Sequence, residues 1–535
     1  MSRTPLFAAI QKALALSLRD SSVVWPRSSA LTRRRMLRLS AAAAGAAALS
    51  PVFEWSAYAK KKKKRSGKHG PYSIAIVGGG VAGLTAAFRL QAAGAKPVVF
   101  EASNRWGGRI FTIYDFYKGM FCELGGEFVD TGHEDLQKLG GELGVEMQKL
   151  AAEGDGEDLY FFKSVFHTPK DMLDPAKQTG AFAPIAKQIA EDAEKLTDKD
   201  ENWTEHATKL DQMSLKAYLE QFRGHTDEWA IDLLDVAYNI EFGLETEDQS
   251  SLNMVDFIGT DLSKPFQMFG ESDEVFRIKG GSSALIKALL AALENKVDMR
   301  LGQPLSALDV KGGRIAASFD APGGAHSETF DAVILALPFT RLRQVEGLER
   351  LRLGAEKLKT IRELGYGSSA KILQGTTSRV WRSGASGLPA PSNGTFYTDL
   401  GFQNLWDSSR AQPGDAGLIT DCLGGKAGLT DTKTALDVFR GGLPKMSPKM
   451  AESLDPAAVT VWFWATYPFT LGSYASAKVG QYTTMLEVAG EPALGGRLQF
   501  AGEHTSSDFL GFMNGGVQSG NRAAAALIKT LALHK

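Results

Sequence analysis

The sequence predicts an α/β fold containing a Rossmann-type nucleotide-binding domain, on two observations. The first is the stretch SIAIVGGGVAGLTAAFRLQAAGAKPVVFEA, residues 73–102, which reads strand, glycine-rich turn, helix, strand and acid. The second is size and composition: 535 residues, 44% hydrophobic and 23% charged, suit a globular chain of two or three domains.

Residues 73–77 are apolar and close on a G-x-G-x-x-G with glycines at 78, 80 and 83. Gly78 allows the bend. Gly80, with Val81 and Ala82 after it, lets backbone N–H groups approach a pyrophosphate. Gly83 lets the following helix pack on the strand. The helical pattern runs to Leu90, and Gly94 marks its stop. A second apolar run, 97–100, closes on Glu101, 18 residues past Gly83 and suitably placed to accept hydrogen bonds from an adenosine ribose.

Charge is uneven. Residues 1–59 carry +6 and residues 60–68 a further +7, so a chain of net charge −1 has a body of −14. That is the reverse of a nucleic-acid binder; it suits a cationic substrate, and solubility alone accounts for it as well. Cys122 and Cys422 are the two cysteines, which excludes a disulfide framework and a Cys-based zinc site. No run of about 18 apolar residues predicts a membrane span.

The leader contains TRRRMLRLSAAAAGAAAL, residues 32–49, with the Arg33–Arg34 pair, Met36, Leu37 and Arg38. An Ala-rich stretch follows, and Ala57-Tyr58-Ala59 fits a small-x-small cleavage site. The segment resembles a bacterial twin-arginine signal, which implies export through the twin-arginine translocase in a folded, cofactor-loaded state and a periplasmic or exported location. The sequence then passes through the basic linker 60–71.

ASNRWGGRI, residues 102–110, resembles the R-x-G-G-R signature of the flavin amine oxidases. LQFAGEHTSSDFLGFMNGGVQSGNRAAAAL, residues 498–527, resembles the closing flavin motif of that family. CELGGEFVDTGH at 122–133, FRIKGGSSALIKAL at 276–289 and FDAVILALP at 330–338 fall between them in the family's order. The resemblance is to the superfamily of monoamine, polyamine and L-amino-acid oxidases. It implies an FAD-binding domain assembled from 72–145, 271–345 and 486–535. It also implies an α+β substrate domain with a helical part, 146–270, and a β-rich part, 346–485.

By the same resemblance, the cofactor side comprises Glu101 and Ala102 at the ribose, Arg105, Gly108 and Arg109 toward the phosphates, and Gly125 with Gly126 beside the isoalloxazine. Glu127 and Phe128 continue that strip. Leu305 would meet the adenine, and Gly502 with Glu503 the ribityl–pyrophosphate portion. Met513, Gly516 and Val517 begin a helix whose dipole stabilises negative charge on the flavin. Lys371 stands where the family holds a water near flavin N5, and Tyr474 and Phe512 where two aromatic rings flank an amine. Mitochondrial monoamine oxidases attach FAD through a cysteine just before the first of these rings; Ser473 stands there, so the FAD is expected to be non-covalent, with Cys422 a buried core residue.

The implied reaction is oxidation of a C–N bond by hydride transfer to flavin N5. The imine hydrolyses to a carbonyl, and O2, giving H2O2, or a respiratory acceptor reoxidises the flavin. L-amino-acid oxidases hold the substrate carboxylate with an arginine; Phe128 occupies that position, and Glu127 beside it suits an ammonium. A primary amine or polyamine is therefore expected. An L-amino acid, basic ones included, is the alternative, with Arg223 a candidate clamp from elsewhere. A cyclic amine of the nicotine type, C–C desaturation and a non-catalytic exported flavoprotein complete the readings.

Overall fold

The Ile74–Val77 strand is buried along its whole length and lies at the centre of a five-stranded parallel sheet. A computed structural model describes residues 72–150, 156–383 and 387–533; the leader and the linker up to residue 71 lie outside the described residues. The sheet order is Asp298–Arg300, Val98–Phe100, Ile74–Val77, Ala332–Leu335, Leu498–Phe500. Ala75 pairs with Val98 on one side and Val333 on the other. Strands from three remote parts of the chain thus make one sheet. The inner strands Ile74–Val77, Val98–Phe100 and Ala332–Leu335 are apolar throughout, as cover on both faces requires, whereas the edge strand Asp298–Arg300 is partly exposed.

Helices Val81–Ala92, Ser283–Leu293 and Met513–Thr530 pack together against one face. The other face meets an antiparallel three-stranded sheet, Leu305–Lys311, Arg314–Ala321 and Gly324–Phe330, where Phe100 stacks on Phe319 at 4.2 Å.

The second large sheet has seven strands in the order Leu454–Phe463, Ala370–Thr376, Gly417–Leu423, Asn404–Asp407, Ser392–Thr398, Glu157–Phe162, Val165–His167. Side chains alternate across it: Leu159 and Phe161 join the core under helix Thr432–Met446, while Tyr160 and Phe162 join the core under the helices between 183 and 255. The helical part expected at 146–270 therefore opens with two strands of this sheet. Its helices, among them Ala183–Ala193 and Glu228–Phe242, begin only afterwards. Among the described residues no helix is long and apolar enough to cross a membrane.

Candidate active site

The turn after the first strand shows what each glycine does. Gly78 has φ +114°, and a Cβ there would stand 2.3 Å from the Ala336 carbonyl oxygen. A Cβ on Gly83 would stand 1.9 Å from the Gly78 oxygen, so only glycine lets helix and strand meet. Gly80 differs: no protein atom lies nearer than 4.0 Å to its Cβ position, so its smallness keeps space for an occupant. It also caps the Val81–Ala92 helix with no side-chain cap and no acid in the first turn, which leaves amide N–H groups pointing into the space.

That space is a cavity of about 530 Å³. Its lining includes Gly78, Gly80, Val81, Ala82, Glu101, Ala102, Arg105, Gly108, Arg109, Gly125, Gly126, Leu305, Gly502, Glu503, Phe512, Met513 and Gly516, together with Lys371 and Tyr474. Glu101 is fixed there, its carboxylate accepting from the N–H groups of Gly79 (2.7 Å) and Ser103 (2.9 Å). Arg109 donates to Glu503 at 2.6 Å and to the Ser473 carbonyl at 2.7 Å, joining motifs 394 residues apart. Glu503 also accepts from the Gly511 N–H at 2.8 Å. The Met513–Thr530 helix brings a second uncapped N-terminus to the same cavity. A backbone cradle open at Gly80, a fixed acid at the ribose end and two helix N-termini fit FAD, whose pyrophosphate is anionic.

Two expectations need correction, those for Val517 and for the Glu127–Phe128 pair. Val517 is fully buried in the core between the helices and lines neither cavity. Gly83 acts through the helix–strand packing expected of it and does not line the cavity. Glu127 and Phe128 do not line the first cavity; they line a second cavity of about 250 Å³, since the chain leaves the first one after Gly126. Cys422 is buried in the core as expected, and it also lines the first cavity, opposite Lys371 in the paired strands.

Lys371 lies within the Ala370–Thr376 strand, well inside the molecule. Its Nζ donates to the carbonyls of Gly125 (2.9 Å) and Glu123 (3.2 Å) and faces Glu127 Oε2 at 3.5 Å. Trp406 Nε1 donates to the same Glu127 oxygen at 3.1 Å, and its ring lies 5.0 Å from the Lys371 Nζ. Burial pushes the neighbouring Glu123 carboxyl up to about 8, against hydrogen bonds from Ser282 N–H and Thr112.

Tyr474 and Phe512 line both cavities and stand where they meet. The Tyr474 hydroxyl donates to the Ile240 carbonyl at 2.7 Å and accepts from Ser369 Oγ at 3.0 Å. Phe512 rests on the His133 ring at 5.1 Å. His133 Nδ1 accepts from the Asp130 N–H, and burial holds this imidazole well below its ordinary value, so it is neutral.

The second cavity is lined by Glu127, Asp130, Glu241, Asp256, Glu274 and Asp508, with no Lys, Arg or His among its described lining residues. Arg223 is not there; it pairs with Glu220 and Asp232 on the helical part. Sequence reasoning missed Trp406 and Trp464. Trp464 Nε1 donates to the Leu124 carbonyl at 2.8 Å and its ring lines the first cavity. Neither tryptophan sits in a glycine motif, so only the fold reveals them.

A family model described as flavin containing amine oxidoreductase matches residues 81–528, and the chain belongs to this family of FAD-dependent oxidoreductases. Curated relatives include the nicotine dehydrogenase of Pseudomonas putida, 23% identical over 506 residues, with 90% of this chain and 93% of that one covered. The L-amino-acid oxidase of Pseudechis australis is also 23% identical, with 85% of this chain and 86% of that one covered. Among solved structures, cyclohexylamine oxidase from Brevibacterium oxydans superimposes with a TM-score of 0.70 at 21% identity, over 86% of this chain and all of the other (100%). Putrescine oxidase bound to putrescine gives 0.68 at 20% identity, over 86% and 99%.

Proposed function

We propose that the protein oxidises the C–N bond of a primary amine or polyamine to a carbonyl, with non-covalent FAD. The observation that carries this reading is the second cavity, which joins the Tyr474/Phe512 pair and presents six acidic side chains and no cationic side chain among its described lining residues. A protonated amine is drawn into that field. A substrate carboxylate is repelled by Glu127 and meets the Phe128 ring where a guanidinium would be required.

FAD, when bound, supplies the hydride acceptor. The chain supplies position and electrostatics. Lys371 commits two of its protons to the carbonyls of Glu123 and Gly125, which fixes the strip on the cavity wall, and turns its charge toward Glu127. Tyr474, pinned at its hydroxyl, and Phe512 flank the amine and exclude water from the reacting carbon. O2 or a respiratory acceptor would take the electrons. The twin-arginine pattern of the leader supports export of the loaded protein.

An amino-acid substrate is the second reading, favoured by Arg410, whose guanidinium lies over the Phe128 ring at 5.4 Å. Arg410 lines neither cavity, which argues against it as a clamp. Anaerobic mixing with cadaverine and with L-lysine separates the readings, since the two differ only by the α-carboxylate. Rapid bleaching of the flavin by cadaverine is expected; bleaching by lysine alone would transfer the assignment to an amino-acid oxidase.

A further inference from the structure

An ammonium has three protons and no lone pair, so a lysine serves a ligand only with a proton that the protein leaves free. Lys371 lines the first cavity, its side chain 11% exposed, and every one of its protons already faces an acceptor of the chain. Two go to the carbonyls of Gly125 (2.9 Å) and Glu123 (3.2 Å), and the third faces Glu127 Oε2 at 3.5 Å. The Trp406 ring, 5.0 Å from the same nitrogen, adds an aromatic face to this cage.

The charge of Lys371 is engaged as well as its protons. The Glu127 side chain is 3% exposed, and the oxygen that faces Lys371 also accepts from Trp406 Nε1 at 3.1 Å. That bond holds the acid on the lysine side of the strip. Arg277, paired across the strands with Phe128, is the other cation that feels Glu127. Opposite charges 3.5 Å apart and out of water are little screened by salt, so seen from the cavity the Lys371–Glu127 pair is close to neutral.

The pair stands at a critical place. Gly126, Tyr474, Gly511, Phe512 and Met513 line both cavities, so the reacting end of a cofactor in the first cavity lies against that wall. Lys371 holds the adjoining carbonyl, that of Gly125. When O2 takes back the electrons, reduced FAD loses two electrons and two protons, and O2 gains them as H2O2. The first electron turns a neutral molecule into an anion, which an uncompensated positive charge at the wall would stabilise. We propose that Glu127 is a positioning residue that withholds the Lys371 charge from O2, so that reoxidation of the flavin by O2 is slow and limits turnover in air. The proposal goes beyond the amine-oxidising reading and rests only on its placement of FAD in the first cavity.

The FAD-loaded protein is reduced anaerobically by light, with oxalate as the sacrificial donor and no amine present, and is then mixed with O2 in a stopped-flow. The native protein is expected to reoxidise no more than about tenfold faster than free reduced FAD in the same buffer, and Glu127→Gln about tenfold or more faster than the native protein. Glu127→Asp keeps the charge and should stay closer to the native rate, and adding Lys371→Met to Glu127→Gln should remove the gain. Ferrocenium is a cation that becomes neutral on taking one electron, so no anion develops and Glu127→Gln should not accelerate its reaction. A readout without turnover is the dissociation constant of sulfite, which adds to N5 of oxidised flavin and leaves the ring negative. Glu127→Gln should bind it about tenfold more tightly. An unchanged O2 rate with unchanged sulfite affinity in Glu127→Gln would overturn the proposal, and so would equal acceleration with both acceptors, which reports a more open wall. If Glu127→Gln does not retain FAD, the native rate decides, and a value above the tenfold margin over free FAD overturns the proposal. Failure of every amine to bleach the flavin would instead strike the amine reading and leave these rates to be judged on their own.

Discussion

The two cavities are opposites built side by side. The first is made of glycines, two uncapped helix N-termini and the arginines 105 and 109, arranged around an anionic cofactor. The second is made of carboxylates and aromatic rings from the helical part and from loops, with no cationic side chain among its described lining residues. The difference shows how, on the proposed reading, one chain would sort two ligands of opposite charge. Backbone N–H groups and guanidinium groups would hold the cofactor, and acidic side chains would attract a cationic substrate. The wall they share, Gly126, Tyr474, Gly511, Phe512 and Met513, is where the two meet.

Breaking the first cavity alone should give the largest effect. Gly83→Ala places a Cβ 1.9 Å from the Gly78 oxygen, and the helix must withdraw from the turn. FAD retention should weaken by about hundredfold, as if a few kcal/mol were lost, read as the flavin-to-protein absorbance ratio after gel filtration. An unchanged ratio would mean that the close approach is not what forms the cradle.

A smaller effect is expected at the seam, where Glu123 lends its carbonyl to Lys371. Its carboxyl, raised to about 8 in the folded state from an ordinary 4.5, holds a proton that the unfolded chain releases. The stability it contributes is full below about 4.5 and is lost as pH rises through about 8. Glu123→Gln cannot lose that proton, so its Tm should fall less than the native protein's between pH 5 and 8.5, by about 2 °C. Parallel profiles for the two proteins would contradict the assignment.

The smallest change sharpens the shared wall. Tyr474→Phe keeps the ring and deletes the hydroxyl bonds to Ile240 and Ser369. It should cost about 1 kcal/mol of stability in thermal unfolding while FAD remains bound. Loss of the flavin would show that Tyr474 belongs to the cofactor side.

This asymmetry also decided what the sequence could reveal. The first cavity depends on positions where a side chain cannot exist, at 78 and 83, and on an acid at a set distance, so it can be read in one dimension. Even the pairing of Arg109 with Glu503 follows from two motifs at opposite ends of the chain. The second cavity has no such signature. Glu241 and Asp256 stand in ordinary helical text; the docking of the Glu228–Phe242 helix on Tyr474, through Ile240, and the bond from the Tyr482 hydroxyl to Asp256 bring them to the site. Cys422 is the buried core residue its apolar run implies, but such a run does not say that it also lines a cavity; its register with Lys371 does. Glu127 and Phe128 were grouped with Gly126 because they are neighbours in sequence, yet the chain changes cavity between them.

The central claim is that the charge of the second cavity selects an amine over an amino acid, and Phe128→Arg tests it most directly. The substitution places a guanidinium beside Glu127, where a carboxylate could be gripped in bidentate fashion. The measurement is the ratio of flavin-reduction efficiency for L-lysine over cadaverine, taken anaerobically on FAD-loaded native and variant proteins. The account predicts that the ratio rises by about tenfold or more in the variant, equivalent to about 1.4 kcal/mol. A folded, FAD-loaded variant with an unchanged ratio would contradict it.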